Sequence, residues 1–258
     1  MNIVLIGAGN VATSMAVALQ KSGQNVLMVY SRTLESASIL ASQLGVPYTN
    51  SLDNIPDNAD VYISMLADDA LIKLAPHIVA DRKNVLFLHT AGSVSIDVWK
   101  NAGAQKYGVL YPMQTFSKNK QVVWQHIPLF IEAVDGVAME QIEQLAYSLS
   151  DNVTRLDSIG RKRLHLAAVF ACNFANRMFA ISESILNTDG IPFSVMLPLI
   201  KEMTDKACGM SPAKAQTGPA VRNDRTVMDS HIELLGNNPE WAELYKLISE
   251  DIIKDRRL

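Results

Sequence analysis

Four apolar residues, Ile3-Val4-Leu5-Ile6, run directly into Gly7-Ala8-Gly9-Asn10-Val11-Ala12, and the stretch that follows carries Met15, Val17, Ala18 and Leu19 at helical spacing. A buried strand, a glycine turn and an amphipathic helix in that order make the first half of a parallel β-α-β unit. The two glycines and the small sixth residue also match the G-x-G-x-x-G/A spacing of dinucleotide-binding turns. Short glycine spacings arise by chance, so it is the strand before and the helix after that give this one its meaning. Gly7 makes the tight turn, Gly9 lets a pyrophosphate approach the backbone, and Ala12 lets the helix pack closely on the strand. The amides that open the helix at Asn10 and Val11 face the phosphates, where the helix dipole favours negative charge.

Up to Asp157 the chain alternates. Ile3 to Ile6, Asn25 to Tyr30, Val61 to Met65, Val85 to His89 and Tyr107 to Leu110 read as strands, with helical stretches between them at Val11 to Lys21 and Leu34 to Leu44. Strands that are apolar nearly throughout belong to a parallel sheet covered on both faces. Two further strands, Pro128 to Ile131 and Val153 to Leu156, flank a helix at Ala138 to Leu149 and extend the sheet. After Ser158 the β-pattern stops, and helices are expected over Arg161 to Leu186, Phe193 to Cys208, Asp224 to Leu235 and Pro239 to Lys254. The expected fold class is α/β, a doubly wound, mostly parallel Rossmann sheet (1–157) followed by an all-helical domain (158–258).

The cofactor is selected at the end of the second strand, where NAD-binding chains carry an acidic residue for the ribose hydroxyls. Here the residues are Tyr30-Ser31-Arg32-Thr33. Arg32 can pair with a 2′-phosphate and stack on adenine, and Ser31 and Thr33 can donate hydrogen bonds to it, which points to NADP. Glu35 leaves NAD as the alternative. Leu66 and Ala67, at the end of the third long strand, form the next wall of the cleft, while Asp68 reads as a helix N-cap. His89-Thr90-Ala91-Gly92-Ser93 ends another strand on the nicotinamide side, and His89 fits a structural role as well as a functional one.

Composition removes several classes. The chain is 48% apolar and 19% charged, which is ordinary for a packed protein. Residues 1–157 hold 10 basic and 14 acidic side chains and the remainder 13 and 12, so neither part has the basic excess of a nucleic-acid binder. A polyanionic cofactor must therefore be held by local groups. The apolar runs are interrupted before the ~18 residues of a bilayer span, so no transmembrane helix and a cytoplasmic location are expected. Cys172 and Cys208 have no metal-ligand spacing and read as small buried hydrophobes; no metal is expected.

Chemistry has fewer markers. Tyr111-Pro112-Met113-Gln114-Thr115-Phe116 ends a strand, and Gln114 suits a substrate-orienting role. The helix from Leu164 to Ala175 is apolar almost all round, which predicts burial between domains or subunits and obliges Asn173 to find partners. His165 on that helix is the best general acid, since imidazole titrates near neutrality; a satisfied core histidine fits equally. In an α-helix the eight residues from His165 to Asn173 give about 12 Å of rise and about 80° of rotation. Such a pair can flank a substrate but not grip one atom, whereas Asn173 and Arg177 are i, i+4 neighbours. The stretch Gln216-Thr217-Gly218-Pro219-Ala220-Val221-Arg222-Asn223-Asp224 breaks the helical region. Thr217, Arg222 and Asp224 there can contact a substrate, or Asn223 or Asp224 can simply cap the next helix.

With these residues assembled, the chain resembles, over essentially its full length, a bacterial family of NADP oxidoreductases that join a Rossmann domain to a helical domain of unknown function. Gly7 to Ala12, Tyr111 to Phe116, His165 to Asn173 and Thr217 to Asp224 carry the resemblance, the last most specifically. In plan the family is similar to pyrroline-5-carboxylate reductases, ketopantoate reductases and deazaflavin-dependent NADP reductases, which implies hydride transfer and a homodimer formed through the helical domain. One departure matters. The β-hydroxyacid dehydrogenases carry Lys and Asn four residues apart on the first helix after the sheet, and this chain has His165 and Val169 instead, so that dyad does not carry over.

Two functions follow as expectations. An oxidoreductase would pass hydride between NADPH and a small carbonyl or imine held between domains, with His165 as acid and Gln114, Asn173 and Thr217 orienting. A non-catalytic NADP sensor or scaffold would use the same cleft with no chemistry.

Overall fold

A strand covered on both faces must be apolar at successive positions, and β1 (Asn2–Ile6) shows this directly: Ile3 and Leu5 enter one core, Val4 and Ile6 the other. The computed structural model describes residues 1–80, 82–118 and 120–255. An eight-stranded sheet has the order β3-β2-β1-β4-β5-β6-β7-β8. Its remaining strands are β2 (Asn25–Tyr30), β3 (Tyr48–Thr49), β4 (Val61–Ser64), β5 (Leu86–His89), β6 (Lys106–Pro112), β7 (Leu129–Ala133) and β8 (Val153–Arg155). All neighbours pair in parallel except β6 and β7, which are antiparallel. The doubly wound, mostly parallel sheet expected from the alternation is the one formed.

Helices cover both faces. On one lie α1 (Asn10–Lys21), α2 (Leu34–Leu44) and α5 (Gly136–Tyr147), which bury Met15, Leu19, Leu40, Ile142 and Leu145. On the other lie α3 (Asp68–Val79) and the short α4 (Asp97–Asn101), which contribute Leu71, Ile78 and the fully buried Trp99. Full burial of one such side chain contributes about 1.5–3 kcal/mol.

Register brings the strand ends to one edge. Ile6 stands opposite Tyr30 on β2 and Ser64 on β4, and Ser64 opposite His89 on β5. The chain turns one way from β1 to β2 and the other way to β4, so the carboxyl end of β1 is the switch point where doubly wound sheets bind ligands.

Beyond β8 the chain is helical: α6 (Ser158–Ala168), a π-helical turn at Val169–Phe174, α7 (Ala175–Asn187), α8 (Leu197–Gly209), α9 (Pro212–Ala215), α10 (Arg225–Leu234) and α11 (Pro239–Asp255). Two compact units result, residues 1–177 and 178–258. In the second, Ala220, Met228 and Ile253 form a small core flanked by Tyr245 and Ile252.

Three expectations meet the structure in this helical region. Ser158–Asn187 is one continuous helix that is long and apolar enough to cross a bilayer by length and composition alone, a test that the core helix of a soluble protein also passes. The π turn keeps the helix unbroken and joins apolar runs that look separate in the sequence. None of the helix's most apolar 18-residue window is buried within the chain, and Leu166, Phe170 and Phe174 are exposed, so any burial must come from outside the chain. Cys172 and Cys208 are likewise exposed free thiols, not buried hydrophobes.

Candidate functional site

Gly7 has φ +122°, where an L side chain is strained, and a Cβ there would sit 2.5 Å from the Met65 carbonyl oxygen. Its N–H donates to Tyr30 O at 2.8 Å, and Met65 N–H donates to Ile6 O at 2.7 Å, so the turn is anchored to both neighbouring strands. Gly9 is different. A Cβ at that position would meet nothing within 4 Å, so its face is open to an approaching group. Gly9 and Asn10 are exposed, Val11 is half-buried and Ala12 is fully buried against the sheet. The first turn of α1 carries no acidic residue. Open amides without a nearby carboxylate suit a pyrophosphate.

At the end of β2, the Ser31 N–H donates to Thr49 O at 3.1 Å, which fixes the loop, and the Thr33 hydroxyl donates to Ser36 at 2.9 Å. Arg32 is exposed and forms no ion pair among the described residues, so its guanidinium is free for a phosphate. Leu66 and Ala67 follow β4, and Ala67, not Asp68, is the N-cap of α3. Asp68 instead accepts a very short hydrogen bond from the Ser93 hydroxyl, linking the loops after β4 and β5.

Next to this edge lies a polar cluster. Tyr111, at the end of β6, is buried, and its Oη lies 3.1 Å from His165 Nδ1 with the rings edge-to-face at 6.2 Å. Gly92 makes the approach possible, because a Cβ there would lie 2.7 Å from the His165 ring. Burial raises the Tyr111 pKa above that of a free phenol, and the Arg161 charge works against that rise, so at neutral pH Tyr111 carries its proton. Arg161 is fully buried one helical turn before His165. It ion-pairs with Glu132 in a very short contact and donates to Val94 O at 2.5 Å and Ser158 Oγ at 3.1 Å. Glu132 also accepts from Ser158 N–H at 2.9 Å and from its hydroxyl at 2.8 Å. This network clamps the start of α6 against the sheet.

His89 takes the structural role. It is fully buried and accepts from Ala91 N–H at 3.2 Å through Nδ1, and its Nε2 has no hydrogen-bond partner. Desolvation, helped by the Arg161 charge and opposed by the Ser95 backbone, lowers its pKa to about 3. Such a ring is neutral at physiological pH.

Residues 2–91 match the family described as NADP oxidoreductase, coenzyme F420-dependent, and residues 127–252 match a domain of unknown function, DUF2520. A Bacteroides fragilis protein solved under the designation NADP oxidoreductase is 44% identical over 98% of each chain, with a TM-score of 0.93. This chain belongs to that NADP oxidoreductase family. A Thermotoga maritima protein is 21% identical over 98% of this chain and 99% of its own, with a TM-score of 0.77. A reductive aminase from Aspergillus terreus, in complex with NADPH and ethyl levulinate, is 17% identical over 99% and 94%, with a TM-score of 0.72. These two likenesses show a shared fold. No functionally curated protein matches the chain.

The other residues that the sequence singles out in this oxidoreductase are dispersed. Gln114 is exposed, and its Oε1 accepts from Thr115 N–H at 2.8 Å, which leaves its amide hydrogens to face outward. Asn173 lies in the π turn and is exposed, so the demand for internal partners does not arise. Thr217 is exposed in the second compact unit with Arg222, and Asp224 there caps α10 by accepting from Val227 N–H at 3.3 Å. Sequence reasoning missed Arg161, Glu132 and the Ser93–Asp68 link. No signal in the sequence pointed to them, since the partners share no motif or spacing.

Proposed function

We propose that this oxidoreductase uses NADPH to reduce a small carbonyl or imine, with the His165–Tyr111 pair delivering the proton. Gly7, Gly9, Asn10 and Val11 would hold the pyrophosphate, and the buried Ala12 lets the helix pack close enough to present them. Ser31, Arg32 and Thr33 take the 2′-phosphate, and Leu66 and Ala67 flank the cleft. When bound, NADPH would supply the hydride for the carbon of the double bond. As that bond opens, its electron pair settles on oxygen or nitrogen, which then takes a proton from His165. Tyr111 keeps the imidazole in place and in one tautomer, and Gln114 and Asn173 orient the substrate. The single observation behind this reading is the hydrogen-bonded His165–Tyr111 pair, seated against Gly92 beside the dinucleotide edge. A sensor needs only the dinucleotide turn and gives no reason for this pair.

NADPH oxidation, screened against keto acids and cyclic imines, tests the reading. His165→Asn should lower kcat by about 10²–10⁴-fold with NADPH affinity unchanged. Tight NADPH binding with no turnover of any carbonyl or imine overturns it.

In the same reading the chain works as a homodimer in the cytoplasm. The exposed apolar line of Leu166, Phe170 and Phe174, in which the two phenylalanines meet edge-to-face at 5.0 Å, is covered by a second copy and not by lipid. Sedimentation should give a dimer, and Phe170→Glu with Phe174→Glu should shift it to monomer without changing its melting temperature by more than a few degrees.

A further inference from the structure

The π turn at Val169–Phe174 changes the phase of the helix, and with it the meaning of its polar residues. In an unbroken α-helix, with 100° per residue, Asn173 stands about 80° and Arg177 about 120° away from His165. A π turn closes i→i+5 and so places one extra residue in the interval. Asn173 then takes the angular place of a seventh residue after His165, about 20° to one side. Arg177 takes the place of an eleventh, about 20° to the other. Leu166, which precedes the turn, stands about 100° from His165, Phe170, just inside it, about 120–140°, and Phe174, after the shift, about 80°, so the three share a separate face. One helix thus presents an apolar line and, beside it, a polar line of His165, Asn173 and Arg177.

We infer that this polar line is an extended substrate site: the reducible carbon lies at His165, and a carboxylate on the same substrate is held by the Asn173 amide and the Arg177 guanidinium. The inference rests on the reductase reading above. Asn173 and Arg177 are both exposed, and Arg177 forms no ion pair among the described residues, so both are free to bind an anion. An arginine with a neighbouring amide matches the planar acceptor pair of a carboxylate. The rise from His165 to Asn173 is roughly 11 Å, too far for one small group to span. The substrate class is therefore an oxo or imino acid whose carboxylate is several bonds from the reducible carbon, not a 2-oxo acid.

Two measurements test this. Calorimetry on the protein saturated with NADP⁺ should detect binding of glutarate, which has carboxylates but nothing to reduce, and not of its diamide. Arg177→Met and Asn173→Leu should each weaken glutarate binding at least tenfold with NADP⁺ affinity and melting temperature unchanged. In turnover, acids with a remote oxo group should be preferred over 2-oxo acids and over their own methyl esters. Arg177→Met should raise KM for the remote oxo acid tenfold or more, with kcat little changed and the ester unaffected. Failure of glutarate to bind, or equal binding by the wild type and Arg177→Met, overturns the carboxylate site. Glutarate binding without turnover of any carbonyl or imine refutes the reductase reading and leaves this site standing; turnover that ignores the carboxylate does the reverse.

Discussion

The sheet region and the helices after β8 solve the same problem of apolar residues in opposite ways. Before Ser158 the chain covers both faces of its sheet and buries Ile3, Leu5, Ile63, Phe87, Leu110 and Trp99 almost completely. After it, the buried residues among those described are Arg161, Ala220, Met228 and Ile253, while Leu199 is 64% and Leu234 82% exposed. Hydrogen bonding accounts for the contrast. A strand satisfies its backbone only through neighbouring strands, so a sheet must be assembled and covered within the fold that makes it. A helix satisfies its backbone internally and can leave an apolar line open for a second copy at no loss of hydrogen bonds.

The largest effect expected is where the two regions meet, because α6 is tied to the sheet by a polar node and not by an apolar core. Arg161→Met leaves the Glu132 carboxylate partly desolvated and without its cation. Urea unfolding should show a loss of about 3 kcal/mol or more, partly recovered when Glu132→Gln is added. An unchanged midpoint would mean that α6 is held by something other than this pair.

A second test concerns acid. The His89 pKa falls from 6.5 to about 3 on folding, so below pH 6.5 the unfolded chain takes up the proton and the folded one does not. Stability from this residue is complete above pH 6.5 and is lost as pH falls toward 3, by about 1.4 kcal/mol per pH unit, or roughly 2 kcal/mol at pH 5. His89→Phe should flatten that slope, whatever it does to stability at pH 7. A slope equal to that of the wild type would place the acid sensitivity elsewhere.

Legibility followed the same divide. The long strands could be read because burial on both faces forces unbroken apolar runs, and α2 was expected at the very bounds it occupies, Leu34–Leu44. Two-residue β3 was missed, being too short to show a period. At the site, Gly7 was legible because a single turn needs it. The Arg161–Glu132 pair was not, since 29 residues separate partners that share no pattern. The π turn was invisible for a different reason: helical arithmetic assumes the α period, so the face of Asn173 was read about 100° away from where it lies.

The cofactor loop sits between these extremes, since its strand was legible and its role rests on one exposed side chain. Arg32→Ala removes the free cation from the end of β2. Fluorescence titration should show NADPH binding about 10–50-fold more weakly, near 2 kcal/mol, with NADH affinity unchanged. Equal weakening of both nucleotides would assign Arg32 to stacking on adenine.

The smallest effect separates two roles for a loop in the helical region. Asp224 was open to either a substrate contact or a cap, and its carboxylate accepts from Val227 N–H at the start of α10. If capping is its whole task, Asp224→Ala should lower stability by about 1 kcal/mol, and Asp224→Ser or Asp224→Asn should restore most of it, because either side chain can accept the same hydrogen bond. Turnover per folded molecule should not change. A variant whose melting temperature holds while KM rises would move Asp224 from the helix to the substrate, and would show that this region carries part of the site on a surface that its own core does not organise.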